Sequence, residues 1–108
     1  MYARIVTFQL DGPSHDEYHA QAVAIASSFN EWPGLCAKLW LADEAAGRYG
    51  GVYLFASKVD ADASRATAQL RSLEELPVFT DLTVQELDVL DEPTAITGGL
   101  FAALLPAA

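Results

Sequence analysis

A lysine set among aromatic residues is the part of this chain best suited to chemistry. In LCAKLWLAD, Lys38 and Trp40 alternate with Leu39 and Leu41; in YGGVYLFAS, Tyr53 and Phe55 alternate with Val52 and Leu54. Residues two apart in an extended chain point to one side. If Trp40 lies opposite Tyr53, Lys38 lies opposite Phe55, and one face carries aromatics with a lysine while the other is aliphatic. An ammonium held among such neighbours loses hydration, its pKa falls, and it can serve as a base or as the holder of an anion. The plainer reading is an ion pair across a dimer, to an acid such as Glu86, because buried charges need partners. Arg4 carries the same two readings. His15 and His19, four apart on a helix, share a face and titrate near neutrality, which makes them further candidates for a catalytic base. An HxxxH spacing can hold a metal. Here it reads HDEYH, no third ligand has matching spacing, and residues just after a helix cap are usually solvated, so no metal site is expected.

Trp40, Tyr53 and Phe55 can form the walls or floor of a substrate box, or simply pack a core or interface. Trp32, just after the first helix, either gates a cleft mouth or plugs the helix end. Tyr18 and Phe29 face the sheet by helical period, and Phe8 lies on the first strand; in a cleft between helix and sheet, core and pocket lining are the same residues. Cys36 is the one cysteine. It reads as a small buried filler, allows no internal disulfide, and fits a reducing cytoplasm. Gly50-Gly51 is no GxGxxG and lies within a strand, so no flavin or nicotinamide site is expected, nor any other cofactor.

These residues need elements to hold them. Residues 3–10 form a first strand ended by Asp11-Gly12-Pro13. Ser14 and Glu17 are spaced as a capping box for a helix with an apolar stripe of Tyr18, Ala22, Ile25, Ala26 and Phe29, closed by Pro33. Strands at 35–42 and 49–57 flank a tight acidic turn. Asp60 is placed to cap a second helix over 61–73, with Ala63, Ala66, Leu70 and Leu73 as its stripe. A fourth strand spans about 80–90, Leu82 and Val84 on one face and Thr83, Gln85 and Leu87 on the other, ended by Glu92-Pro93. The order β-α-β-β-α-β predicts a ferredoxin-like α+β fold: four antiparallel strands with two helices on one face. Exposing Trp40, Tyr53 and Phe55 would leave a larger apolar patch than monomers usually carry, and two sheets packed together would cover it. A homodimer is therefore expected. The apolar tail 94–108, behind Gly98-Gly99, is expected to dock on its own cleft or across the dimer.

One domain spanning 1–108 suits this length. The net charge is −9, and after Arg71 there are seven acids and no base. Nucleic acid and anionic lipid are poor partners for such a surface. The start of the chain lacks a signal-peptide layout and the tail is too short to span a bilayer; a cytoplasmic protein is the expectation.

Several segments carry a family resemblance: Pro33-Gly34-Leu35, Lys38-Leu39-Trp40, the turn at 43–47, Tyr49-Gly50-Gly51-Val52-Tyr53-Leu54-Phe55, the run Leu87 to Pro93 and Gly98-Gly99. Together they resemble the small putative monooxygenases of the dimeric α+β barrel superfamily, near the antibiotic-biosynthesis monooxygenases. The resemblance implies a homodimer whose two sheets form a barrel, with a hydrophobic cleft between helices and sheet in each subunit. It also implies oxidation of aromatic, polyketide-like phenols by molecular oxygen without flavin, haem or metal, through Trp, Tyr, Asn, His or Arg side chains. The first strand departs from some relatives, carrying Gln9 and no Asn. Oxygenation of this kind makes the substrate supply the electrons, while the protein supplies a base, hydrogen-bond donors and a dry box. Two further readings keep the fold: proton chemistry such as cyclisation or isomerisation, and non-catalytic binding of small hydrophobic molecules.

Overall fold

The structure is a computed structural model that describes residues 1–98. Strand β1 (Tyr2–Leu10) leads into helix α1 (His15–Ile25) and a 3₁₀ segment (Ala26–Glu31); β2 (Leu35–Asp43) and β3 (Arg48–Phe55) form a hairpin; helices α2 (Lys58–Ser64) and α3 (Ala68–Glu75) precede β4 (Phe79–Asp88) and helix α4 (Asp91–Thr97). The four strands pair antiparallel in the order β2-β3-β1-β4, the ferredoxin-like α+β arrangement.

Local chemistry explains the elements. Ser14 accepts from the Glu17 N–H and donates its own N–H to the Glu17 carboxylate, so the capping box starts α1 as expected. The chain re-enters the sheet through Gly34 at φ +74°, where a side chain would strike Asp60.

The second helix differs from expectation. It begins at Ser57, which caps it in place of Asp60, and it is broken in two. The Ala61 carbonyl, the natural acceptor for Arg65 N–H, instead accepts from Arg4 Nη2 at 2.7 Å and Ser64 Oγ at 2.6 Å. Arg65 and Ala66 fall back on i→i−3 bonds. Thr67 then donates to the Ser64 carbonyl and caps α3 by accepting from Leu70 N–H. The buried face is accordingly Ala61, Ser64 and Leu70, whereas Ala63 and Ala66 are exposed. Strand β4 ends at Asp88, and Leu90 to Thr97 form a helical turn with Pro93 in its first turn, where its missing N–H costs nothing. This turn was not foreseen. The expected docking of the tail falls largely on residues 99–108, outside the described residues.

Strand register sorts the two sheet faces. Lys38 pairs with Tyr53 and Trp40 with Gly51, two residues out from the expected alignment but on the expected side. The helices cover the aromatic face: Tyr2, Val6, Phe8, Tyr49, Tyr53 and Phe55 are buried beneath Phe29, Trp32, Ala61 and Leu70. The uncovered face is therefore the aliphatic one, the reverse of the expectation that Trp40, Tyr53 and Phe55 would need a second sheet. Rows Ala37–Leu54–Ala3–Leu87 and Leu39–Val52–Ile5–Gln85 cross it.

Candidate functional site

A cavity of about 440 Å³ opens between the sheet and its helices. Its floor is Val6, Phe8, Lys38, Trp40, Gly51 and Tyr53; its walls come from Tyr18, Ala22 and Ile25 of α1, Phe29 of the 3₁₀ segment, Ala68, Gln69, Ser72 and Leu73 of α3, and Phe79 of β4. Helix α1 has no fully buried residue, because its inward face looks onto this space. Gly51 lies between Trp40 and Val6 in a row across the sheet, and its lack of a side chain deepens the floor. A Cβ there would come 3.1 Å from Lys38 Cε.

Among the described residues Lys38 is the one charged residue of the lining. Its Nζ lies 3.4 Å from the Trp40 ring centre, 3.7 Å from Phe29 and 4.6 Å from Tyr53. Among the described residues no acid pairs with it; the ion pairs fall on Met1, Arg4, Arg48, Lys58 and Arg65. Loss of water pushes its pKa down from 10.5 to about 7. The ring faces favour the ammonium and so oppose the desolvation that lowers its pKa. Within its own chain, Glu86 lies at the far end of the row Lys38–Tyr53–Arg4–Glu86, three strand spacings or roughly 14 Å away; the ion pair expected across a dimer involves a second copy and is not tested by this distance. Arg4 pairs with Glu86 at 3.6 Å, together with Arg65. Arg4 is thus a buried structural cation beneath α2, bonded to Ser64 Oγ at 2.7 Å and outside the lining.

The aromatic candidates divide. Phe8, Tyr18, Phe29, Trp40 and Tyr53 line the cavity. Phe55 and Trp32 do not. Phe55 is fully buried, and Trp32, 5% exposed, stacks on Tyr53 and Phe55 with ring planes 10° and 14° apart, so it plugs the helix end and does not gate the mouth. Burial raises the phenol pKa of Tyr18 and, more strongly, of Tyr53; both are hydrogen-bond donors at neutral pH.

Neither histidine reaches the cavity lining. His15 Nδ1 hydrogen-bonds the Tyr49 hydroxyl at 3.0 Å, and Tyr49 packs on Tyr18 at 4.7 Å. His19 is exposed. A helix turn places both on one face, as the spacing required, but that face looks past the cleft. Among the described residues no three His, Cys, Asp or Glu side chains cluster as a metal site would require. Cys36 is half-buried at a register shift of β2 and donates to the Gly34 carbonyl at 3.6 Å. It lines a second cavity of about 430 Å³ with Asn30, and that cavity meets the first at Phe29, Lys38 and Trp40.

Sequence reasoning missed the polar wall. Gln69 Nε2 donates to Ser28 Oγ at 3.1 Å, and Ser28 donates to the Ile25 carbonyl, tying α3 to the 3₁₀ segment; Gln21 and Ser72 also line the space. No motif signals them, because the break at Thr67 sets the path of α3.

The family profile described as putative mono-oxygenase ydhR matches residues 5–100. No curated protein matches the chain. Solved structures do. The heme-degrader MhuD from Mycobacterium tuberculosis, with two hemes bound in its active site, superposes with a TM-score of 0.65 at 17% identity, over 83% of this chain and 96% of that one. An antibiotic biosynthesis monooxygenase gives 0.66 at 17%, over 83% and 99%. A protein of Caulobacter crescentus, described as a putative antibiotic biosynthesis monooxygenase, gives 0.66 at 15%, over 82% and 89%. At such identities the likeness speaks for the fold.

Proposed function

The chain belongs to the ydhR family of putative mono-oxygenases, and from that membership we propose that it oxidises an aromatic, polyketide-like phenol or hydroquinone with molecular oxygen, without a cofactor, in the helix–sheet cleft. One observation carries this reading: an aromatic-walled cavity of about 440 Å³ whose lining, among the described residues, holds one cation, a lysine amine with no acid beside it and a pKa pushed down by burial. In its neutral form Lys38 takes the acidic proton of the substrate, and the resulting ammonium holds the anion. In this reading Tyr18 and Tyr53, whose phenols burial moves further from ionisation, donate to substrate oxygens. The anion passes electrons to oxygen, and where a methylene is the reacting carbon the balance is CH2 + O2 → C=O + H2O. The apolar walls keep bulk water from the anion.

Haem, carried by one structural neighbour, does not suit this lining. The cavity has neither His nor Cys, its tyrosines are held away from the phenolate that iron binds, and Lys38 Nζ is pressed among ring faces.

We further propose that a second copy covers the aliphatic sheet face. Leu39, Leu41 and Leu87 are 45%, 38% and 59% exposed there, and a homodimer places two such faces together. Among the described residues no helix is long and apolar enough to cross a membrane.

The test is oxygen uptake with polycyclic phenols and hydroquinones, without added flavin or metal, by wild type and Lys38→Met. Uptake coupled to product formation, reduced about 100-fold or more in the variant, supports the reading. The depressed amine pKa also favours simple proton chemistry. Turnover that persists without oxygen would replace oxidation by cyclisation or isomerisation.

A further inference from the structure

We propose that Lys38 is a carbonyl-capture site: its Nζ, facing the cleft within an aromatic cage, condenses with small aromatic aldehydes or ketones to form an imine. Three features of the structure support this. The amine has no acid or hydrogen-bond partner among the described residues, so only the ring faces favour its charged form. It belongs to the lining of both cavities, so a carbonyl carbon can approach it from a space of about 440 Å³. The surrounding rings of Phe29, Trp40 and Tyr53 offer flat faces to a planar aromatic ligand. A lysine desolvated in an apolar pocket is nucleophilic at neutral pH, and burial moves Lys38 in that direction.

The step balances without an oxidant. The amine lone pair forms an N–C bond to the carbonyl carbon, and the C=O π pair moves to oxygen. Proton transfer from nitrogen to that oxygen gives the carbinolamine. Loss of water, carrying the carbonyl oxygen and both amine hydrogens, leaves C=N. A proton from water adds to the imine nitrogen, and cyanoborohydride delivers hydride to the carbon of the resulting iminium, fixing the ligand as a secondary amine. The inference rests on reading the cleft as the ligand site. It needs no oxygen, so its failure leaves the oxidation proposal standing, and failure of oxidation leaves this one standing.

The chain supplies its own controls. It has two lysines; the other, Lys58, is exposed and ion-paired with Asp62 at 3.3 Å, and the Met1 amine is paired with Asp91 at 3.0 Å. Wild-type protein is incubated near neutral pH with 2-naphthaldehyde and cyanoborohydride, digested, and mapped by mass spectrometry. The expected result is an adduct on the Lys38 peptide formed roughly tenfold or more faster than on Lys58 or Met1, and suppressed by excess naphthalene, which fills the cleft without a carbonyl. Labelling of Lys58 or Met1 at a rate equal to or above that of Lys38, or Lys38 labelling indifferent to naphthalene, would overturn the proposal. Gly51→Ala provides a second reading: a methyl placed against Lys38 Cε lowers the Lys38 rate while leaving Lys58 unchanged, and an unchanged Lys38 rate in the folded variant counts against the geometry.

Discussion

A single side chain sets the expected pH behaviour. Lys38 binds its proton more weakly in the folded chain than when unfolded, with its pKa moved from 10.5 to about 7. Between those values the unfolded state holds more protons, so stability rises with pH across the window, by up to about 1.4 kcal/mol per pH unit. Above about pH 10 the trend turns, because the raised phenols of Tyr18 and Tyr53 keep protons that the unfolded chain releases. Urea titrations from about pH 6 to about pH 9.5 should show this rise in wild type and a flatter profile in Lys38→Met; a flat wild-type profile would mean that the amine stays hydrated. Activity that needs the neutral amine should likewise climb through about pH 7. The histidines give the contrasting expectation. His19 is exposed and off the cleft, so His19→Ala should leave kcat/KM within about twofold. Lys38 was legible from the sequence because alternation alone puts a lysine beside a tryptophan. Its ring cage was not, since that depends on Phe29 of the 3₁₀ segment packing over Lys38 and Trp40.

Among the elements, the division between α2 and α3 matters most to the site. Thr67 both ends one helix and begins the next. Thr67→Ala should cost about 1–2 kcal/mol in chemical denaturation and loosen α3, whose Gln69, Ser72 and Leu73 wall the cavity; ligand affinity should fall with stability. Retained stability would mean that Arg4 alone holds the break. Apolar periodicity could not reveal that break, because Ala61 and Ser64 are selected by the contacts of α2 with β1 and β3, and Leu70 by the packing of α3 beside β4. The capping box of α1 was readable because Ser14 and Glu17 satisfy each other locally.

Across the whole molecule, the uncovered aliphatic face governs association. A Leu39→Lys, Leu54→Glu double variant places charge in two adjacent rows of that face. Sedimentation should show wild type as a dimer and the variant as a folded monomer. A wild-type monomer in dilute solution would remove the dimer and leave the face open for another occupant. The polar end of the same face, where Arg48 reaches Asp81 and Thr7 and where the Thr7 and Thr83 hydroxyls pair, would form its rim.

The order of the strands, the hairpin and the two kinds of sheet face were settled by the sequence, because strand alternation and turn residues act over a few neighbours; the division of the second helix and the turn after β4 were not. Which face the helices take was a tertiary decision. Both faces are apolar, and the aromatic one is covered because Phe29, Trp32 and Leu70 can interdigitate with Tyr53 and Phe55 while Gly51 leaves room beneath them. That choice turns Lys38 inward and leaves Leu39 and Leu41 facing out. Long-range packing sets it, and no local pattern in the chain encodes it.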